Sequence, residues 1–164
     1  MRTLVACLFA LVVFAASPGF AQDAKPVLKI EARLFESPTG TFSEDRLAPN
    51  AAGLGNVIIG EKASSSAIVI IRIDATAPLP TNARLRLVAK ETSASKATGS
   101  PRVKLRKLLD STVALPSSAW NRTTYVGFWL PDVGCMPVAL KANLMAGGAG
   151  SASASATLGF TCYE

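Results

Sequence analysis

Histidine is absent from all 164 residues. That absence removes Ser-His-Asp and Cys-His catalysis, histidine-bound zinc or iron, and an imidazole pH switch. Cysteine is scarce: three are present, and Cys7 lies in the N-terminal apolar stretch. Aromatic residues make up 7% of the chain, so most of any core must be aliphatic. No Asp-x-Asp spacing occurs and the acids are scattered, which leaves a calcium loop without its usual signature. Beyond the first residues, no apolar segment approaches the roughly 18 charge-free residues of a membrane-spanning helix.

The N-terminal stretch is a signal peptide by pattern. Arg2 is followed by an uncharged apolar run over residues 4–16, too short to span a bilayer of about 30 Å. Ser17, Pro18 and Gly19 break a helix there, and Gly19-Phe20-Ala21 offers small residues to a signal peptidase. Residues 1–21 are therefore expected to be removed, leaving Gln22 as the first residue of a periplasmic or secreted, bacterial-type protein. Leu4-Val5-Ala6-Cys7 superficially matches a lipobox, but most of the apolar run follows Cys7 instead of preceding it.

Residues 22–164 then make one domain, long enough to bury about two-thirds of the chain's surface. They carry sixteen basic and eleven acidic side chains, a net of +5. That charge permits anionic partners without demanding nucleic acid. Cys135 and Cys162 remain, and a pair in an exported chain reads as a disulfide. Closing a 27-residue loop, it would contribute about 3.5 kcal/mol in the chain-entropy model.

Short alternating segments fill this region. Residues 27–35 place Leu28, Ile30, Ala32 and Leu34 on one face and Lys29, Glu31 and Arg33 on the other, the pattern of a half-buried antiparallel strand. Residues 41–47 open with Thr41-Phe42-Ser43-Glu44, a capping-box spacing that predicts a single helical turn. Residues 67–75 are apolar on both faces, which predicts a central strand. Further strands are expected at residues 56–59, 83–90, 102–109, 123–130, 138–145 and 154–163, with a weaker apolar segment at 112–115. Residues 91–101 have the composition of a mobile loop, and the glycine tract at 146–150 that of a hairpin loop. Folding the last pair about residues 148 and 149 sets Val138 and Leu140 opposite Phe160 and Leu158, with Cys135 near Cys162. Many short strands and no helix of three turns predict an all-β, two-sheet sandwich of about eight strands, Ig-like or C2-like. The cysteines would sit on neighbouring strands of one hairpin, unlike the intersheet bridge of immunoglobulin domains.

The sharpest candidate site is basic. Folding residues 83–90 against 102–109 pairs Arg84 with Arg106 and Arg86 with Lys104, with Arg102 next in line. Like charges opposite one another on a sheet repel, so this ladder calls for neutralisation by Glu31 or Asp74, or for an anionic partner. Other constellations are weaker. Glu36, Glu44, Asp45, Glu61 and Asp132 supply oxygen ligands without calcium-loop spacing. The Ser and Lys of residues 93–96 lie in a low-complexity loop. Phe42, Trp120, Tyr125, Phe128 and Trp129 could line a ligand face but read mainly as core or corner plugs, with Tyr125 and Trp129 on one side of their strand and Phe128 and Leu130 on the other. Asn121-Arg122-Thr123 is a glycosylation sequon, accidental in a bacterial chain.

The sequence thus predicts an exported, non-enzymatic binding or envelope-associated module without cofactor or metal. Its partner would be an anionic envelope component, met through Arg84, Arg86, Arg102, Lys104 and Arg106, or a protein added at a sheet edge. The alternative is a His-free hydrolase using carboxylates.

Overall fold

A computed structural model describes residues 25–37, 39–51, 66–92, 105–116, 122–131, 133, 136–147 and 150–160. These residues form eight antiparallel strands and no helix: β1 (Val27–Glu36), β2 (Thr41–Phe42), β3 (Ala67–Asp74), β4 (Arg84–Glu91), β5 (Lys107–Ala114), β6 (Thr123–Leu130), β7 (Val138–Met145) and β8 (Ala152–Leu158). Sheet 1 has the order β2-β1-β3-β6 and sheet 2 the order β5-β4-β7-β8. The chain passes between the sheets three times, after β3, β5 and β6. The expected two-sheet sandwich is present. The signal peptide expected at residues 1–21 and the strand expected at 56–59 lie outside the described residues, as do Cys135 and Cys162.

Period-two patterning makes both inner faces. Ile30 and Ala32 of β1, Val69, Ile71 and Ile73 of β3, and Phe128 and Leu130 of β6 are buried in sheet 1. Leu85, Leu87 and Ala89 of β4 and Val138, Leu140, Ala142 and Leu144 of β7 face them from sheet 2. Each large aliphatic side chain so buried contributes roughly 1.5–3 kcal/mol of transfer free energy. β3 is central, between β1 and β6, as its two-sided apolarity predicts.

Three local readings are corrected. Thr41 and Phe42 form no helical turn. They pair with Glu36 and Phe35 as β2, after a turn in which Gly40 takes a positive φ of 66° and donates to the Glu36 carbonyl. The strand placed at 102–109 runs instead as Lys107–Ala114, absorbing the segment expected at 112–115. The last hairpin slips by two residues, so Val138 faces Leu158 and Leu140 faces Ala156. A slip of two keeps every side chain on its own face, and hydrophobic patterning alone cannot detect it. The turn chemistry decides it. Gly147 holds a positive φ of 69°, and a Cβ at Gly150 would lie 2.9 Å from that of Ala146.

The chain after β2 closes the outer edge of β1. Ser43 N–H donates to the Leu34 carbonyl, and Ser43 Oγ accepts from Leu34 N–H at 3.0 Å. Arg46 N–H donates to the Ala32 carbonyl, and Asp45 Oδ1 accepts from both Ala32 N–H and Leu47 N–H at 3.0 Å. Two side chains thereby replace a neighbouring strand. Removing the Asp45 carboxylate strands two backbone donors, a loss of about 1–2 kcal/mol. Asp45→Ala is expected to lower stability by that amount in urea unfolding with an unchanged m-value. A change below a few tenths of a kcal/mol would show that the edge is not held by this carboxylate.

Candidate anion-binding face

Alternation along β4 sends Leu85, Leu87 and Ala89 inward, which leaves Arg84, Arg86, Val88 and Lys90 on the outside of sheet 2. The same rule turns Ala139, Lys141, Asn143 and Met145 of β7 outward. β7 lies directly beside β4 in a register that sets Arg84 opposite Met145, Arg86 opposite Asn143, Val88 opposite Lys141 and Lys90 opposite Ala139. On the far side of β4, Arg84 faces Ala114, Arg86 faces Thr112 and Val88 faces Asp110, and after a bulge Lys90 faces Lys107. Ser153, Ser155 and Thr157 of β8 complete the face beside Asn143, Lys141 and Ala139.

The result is a polar sheet face with five cations, Arg84, Arg86, Lys90, Lys107 and Lys141, and one carboxylate, Asp110. Arg86 and Asp110 form a two-point ion pair, Nε to Oδ1 at 2.8 Å and Nη2 to Oδ2 at 3.0 Å. Lys107 Nζ reaches the same carboxylate at 3.2 Å. Hydrogen bonds from Arg86 and then Lys107 hold the Asp110 carboxyl down at about 2. Among the described residues, Arg84, Lys90 and Lys141 make no ion pair.

The expected ladder is rearranged. Arg84 and Arg86 stand on the exposed face as predicted, but neither lies opposite a cation of the following strand. Arg106 sits just before β5. Its Nη2 lies 2.7 Å from Glu91 Oε1, while its backbone N–H donates to Glu91 Oε2 at 2.9 Å. Arg102 and Lys104 lie outside the described residues. Glu31 and Asp74 cannot be the neutralising groups, because both belong to sheet 1, where they pair with Lys29 and Arg72. The like-charge pair across β4 and β5 is Lys90 with Lys107. Lys141 and Lys90 are the residues that sequence reasoning missed. Their outward phase is visible in the alternation, but the neighbourhood of β4 and β7 is not.

Glu91 was expected in a loop and instead ends β4, only 5% exposed. Its N–H donates to the Arg106 carbonyl, and Thr92 N–H donates to the Pro137 carbonyl. The pair clasps the neck of the β4–β5 connection. The hydrogen bond from Arg106 holds the Glu91 carboxyl below the usual carboxylate range, against the opposing effect of burial.

A cluster of aromatic residues occupies the outer side of sheet 1. Phe35, Phe42 and Trp129 meet edge to face, with ring centroids 5.6–6.3 Å apart. Tyr125 and Trp129 share the outer side of β6, while Phe128 and Leu130 point inward, as the alternation predicts. Only Phe128 among the five named aromatics is shown to be a core plug; Phe42, Tyr125 and Trp129 are each at least 45% exposed. Trp120 and Asn121 lie outside the described residues. So do Glu61, Asp132 and residues 93–96.

Glu36 receives a hydrogen bond from Thr39, Glu44 stands 3.9 Å from Arg46 and Asp45 caps β1, so these three carboxylates serve different local partners. Among the described residues, no group of three acids or cysteines converges as a metal site. Two grooves at one end of the sandwich, of about 260 and 530 Å³, are lined by residues that include Pro78, Leu79 and Pro80 in the first and Lys25, Asn143 and Met145 in the second, without a carboxylate in either. Among the described residues, no helix is long and apolar enough to cross a membrane.

No protein-family model and no curated protein sequence matches this chain. The reading of the site therefore rests on its own geometry.

Glu91 and Asp110 both hold their protons less tightly in the folded chain than in an unfolded one. Their stabilisation is complete above the ordinary carboxylate range and is lost as pH falls from about 4 towards 2. The urea midpoint is expected to drop across that window. Glu91→Gln should lose about 1–2 kcal/mol at neutral pH and show a shallower acid drop. An acid profile identical to that of the unsubstituted protein would contradict the clasp.

Proposed function

We propose that this protein is an exported, non-catalytic β-sandwich that attaches to anionic surfaces of the cell envelope through the outer face of sheet 2. The N-terminal pattern supports the compartment, in which Cys135 and Cys162 would be oxidised to a disulfide. The observation that carries the binding reading is the imbalance on that face, five cations against one carboxylate. Lysine and arginine on a sheet often do no more than cover apolar surface with their stems. Here, however, Val88 is the only outward aliphatic residue between the β4 cations, and Arg84, Lys90 and Lys141 hold their charge without an ion-pair partner among the described residues. Serines and threonine on β8 add hydroxyl donors along the same face. A broad, polar, positive surface suits a layer of phosphate or carboxylate headgroups better than a single small ligand, which needs a concave site.

Each cation near an anionic surface contributes about 1 kcal/mol, and the attraction weakens as the Debye length shrinks to about 8 Å at physiological ionic strength. The protein is expected to co-sediment with phosphatidylglycerol vesicles at low salt, to release as salt rises, and to ignore phosphatidylcholine vesicles. Lys90→Gln with Lys141→Gln removes two charges from the face and should weaken binding by about thirtyfold, or roughly 2 kcal/mol. Lys29→Gln with Arg33→Gln removes the same charge from sheet 1 and should change affinity by less than about threefold, through long-range attraction alone. Equal losses from the two pairs would reduce the effect to net charge and overturn the assignment of a face.

A further inference from the structure

We infer that β8 is a dimerisation edge, at which two copies of this chain pair antiparallel about a twofold axis at Ser155 and merge their second sheets into one eight-stranded sheet. Exposed strand edges invite pairing, and proteins blunt them with charge, proline, bulges or cover. Three of the four sheet margins here are treated in that way or have nothing to gain. The β1 edge is covered by β2 and by the Ser43 and Asp45 side chains. The β5 edge carries Lys107, Asp110 and a bulge against β4. β6 is flanked by Arg122 and Pro131, and its inward Phe128 and Leu130 are already buried.

Among the described residues, β8 shows none of these devices. Its seven residues, Ala-Ser-Ala-Ser-Ala-Thr-Leu, contain no charge and no proline, and its register with β7 is unbroken. Among the described residues it has a strand neighbour on one side only. Its inward Ala152, Ala154 and Ala156 remain partly exposed although β1 packs over the strand, so extending the sheet would bury apolar surface still open to water.

The strand is also complementary to itself. A twofold axis perpendicular to the sheet keeps inner faces together only when it passes through a residue, and Ser155 is the midpoint of β8. In that register Ala154 faces Ala156 of the other copy and Ala152 faces Leu158, all on the inner side. Ser153 faces Thr157, a hydroxyl pair of the kind that favours cross-strand contact, on the outer side. No like charges meet across the axis. Small side chains leave main-chain hydrogen bonds as the principal attraction, which puts the dimer in the weak, concentration-dependent class.

The geometry extends the proposed function without depending on it, because both cationic faces would lie on the same side of the joined sheet, doubling the charge presented to one surface.

Sedimentation equilibrium of the purified protein, without vesicles, tests the edge by itself. The wild-type chain should approach twice the monomer mass as its concentration rises to about 0.5 mM, within reach of a weak interface. Ser155→Glu sits beside Lys141 within its own chain, so it should fold normally, yet it places two carboxylates on the axis and should abolish the dimer. Mixing Ser155→Glu with Ser155→Lys should restore association as a heterodimer. Wild-type protein that stays monomeric throughout, or a Ser155→Glu dimer of undiminished strength, would overturn the inference. So would association that survives in both variants and climbs beyond a dimer, since that would be non-specific aggregation.

Discussion

The pairing of β4 with β7 is the constraint on which sheet 2 depends. Some fifty residues of chain separate the two strands, yet they align over their whole length, from Arg84 with Met145 to Glu91 with Val138. Inward, that register sets Leu85 beside Leu144, Leu87 beside Ala142 and Ala89 beside Leu140, all buried in the core. Outward, the same register brings Arg84, Arg86 and Lys90 into one field with Lys141. The core and the charged face are thus two sides of one backbone decision. Moving the register by one residue would bury the cations and expose the leucines.

The two outer faces of the molecule solve charge differently. On sheet 1, Lys29 meets Glu31 at 2.9 Å and Arg72 meets Asp74 at 3.0 Å, so cations are answered locally. Hydrogen bonds, first from Thr123 and then from Arg72, also hold Asp74 below its usual range. On sheet 2, Asp110 alone serves Arg86 and Lys107 while the remaining cations face solvent. Exposed ion pairs contribute little to stability. The asymmetry therefore bears little on how firmly the sandwich holds together.

Much of the fold is legible in residue order because alternation is a local signal. β1, β3, β6 and β7 fall where their apolar residues recur every second position, and the burial of Ile71 against the exposure of Lys29 follows from that count. What local pattern cannot set is how far one strand slides along another. Val103 and Leu105 alternate before Lys107, and Leu109 and Val113 share their phase after it, so a strand ending at 109 and one starting at 107 both draw on apolar residues of one face. The decision comes from Glu91, whose buried carboxylate takes Arg106 as its partner and starts the ladder beyond it. Thr41 and Phe42 show a different limit. Their spacing suits a helix cap, but Phe42 gains ring contacts with Phe35 and Trp129 that exist only once three separated segments have met. For the charged face, the residue types and their outward phase were readable. The inclusion of Lys141 was not, because it needs the strand order of a folded sheet.

The central claim is that one face, not the molecule's net charge, meets the anion. Amide chemical-shift mapping of the protein titrated with phosphatidylglycerol nanodiscs tests it most directly. The account predicts the largest changes at Arg84, Arg86, Lys90, Lys141 and Asn143, with Lys29, Arg33 and Arg72 on the far sheet unmoved. Changes spread evenly over both sheets, or concentrated around Lys29 and Arg72, would contradict it.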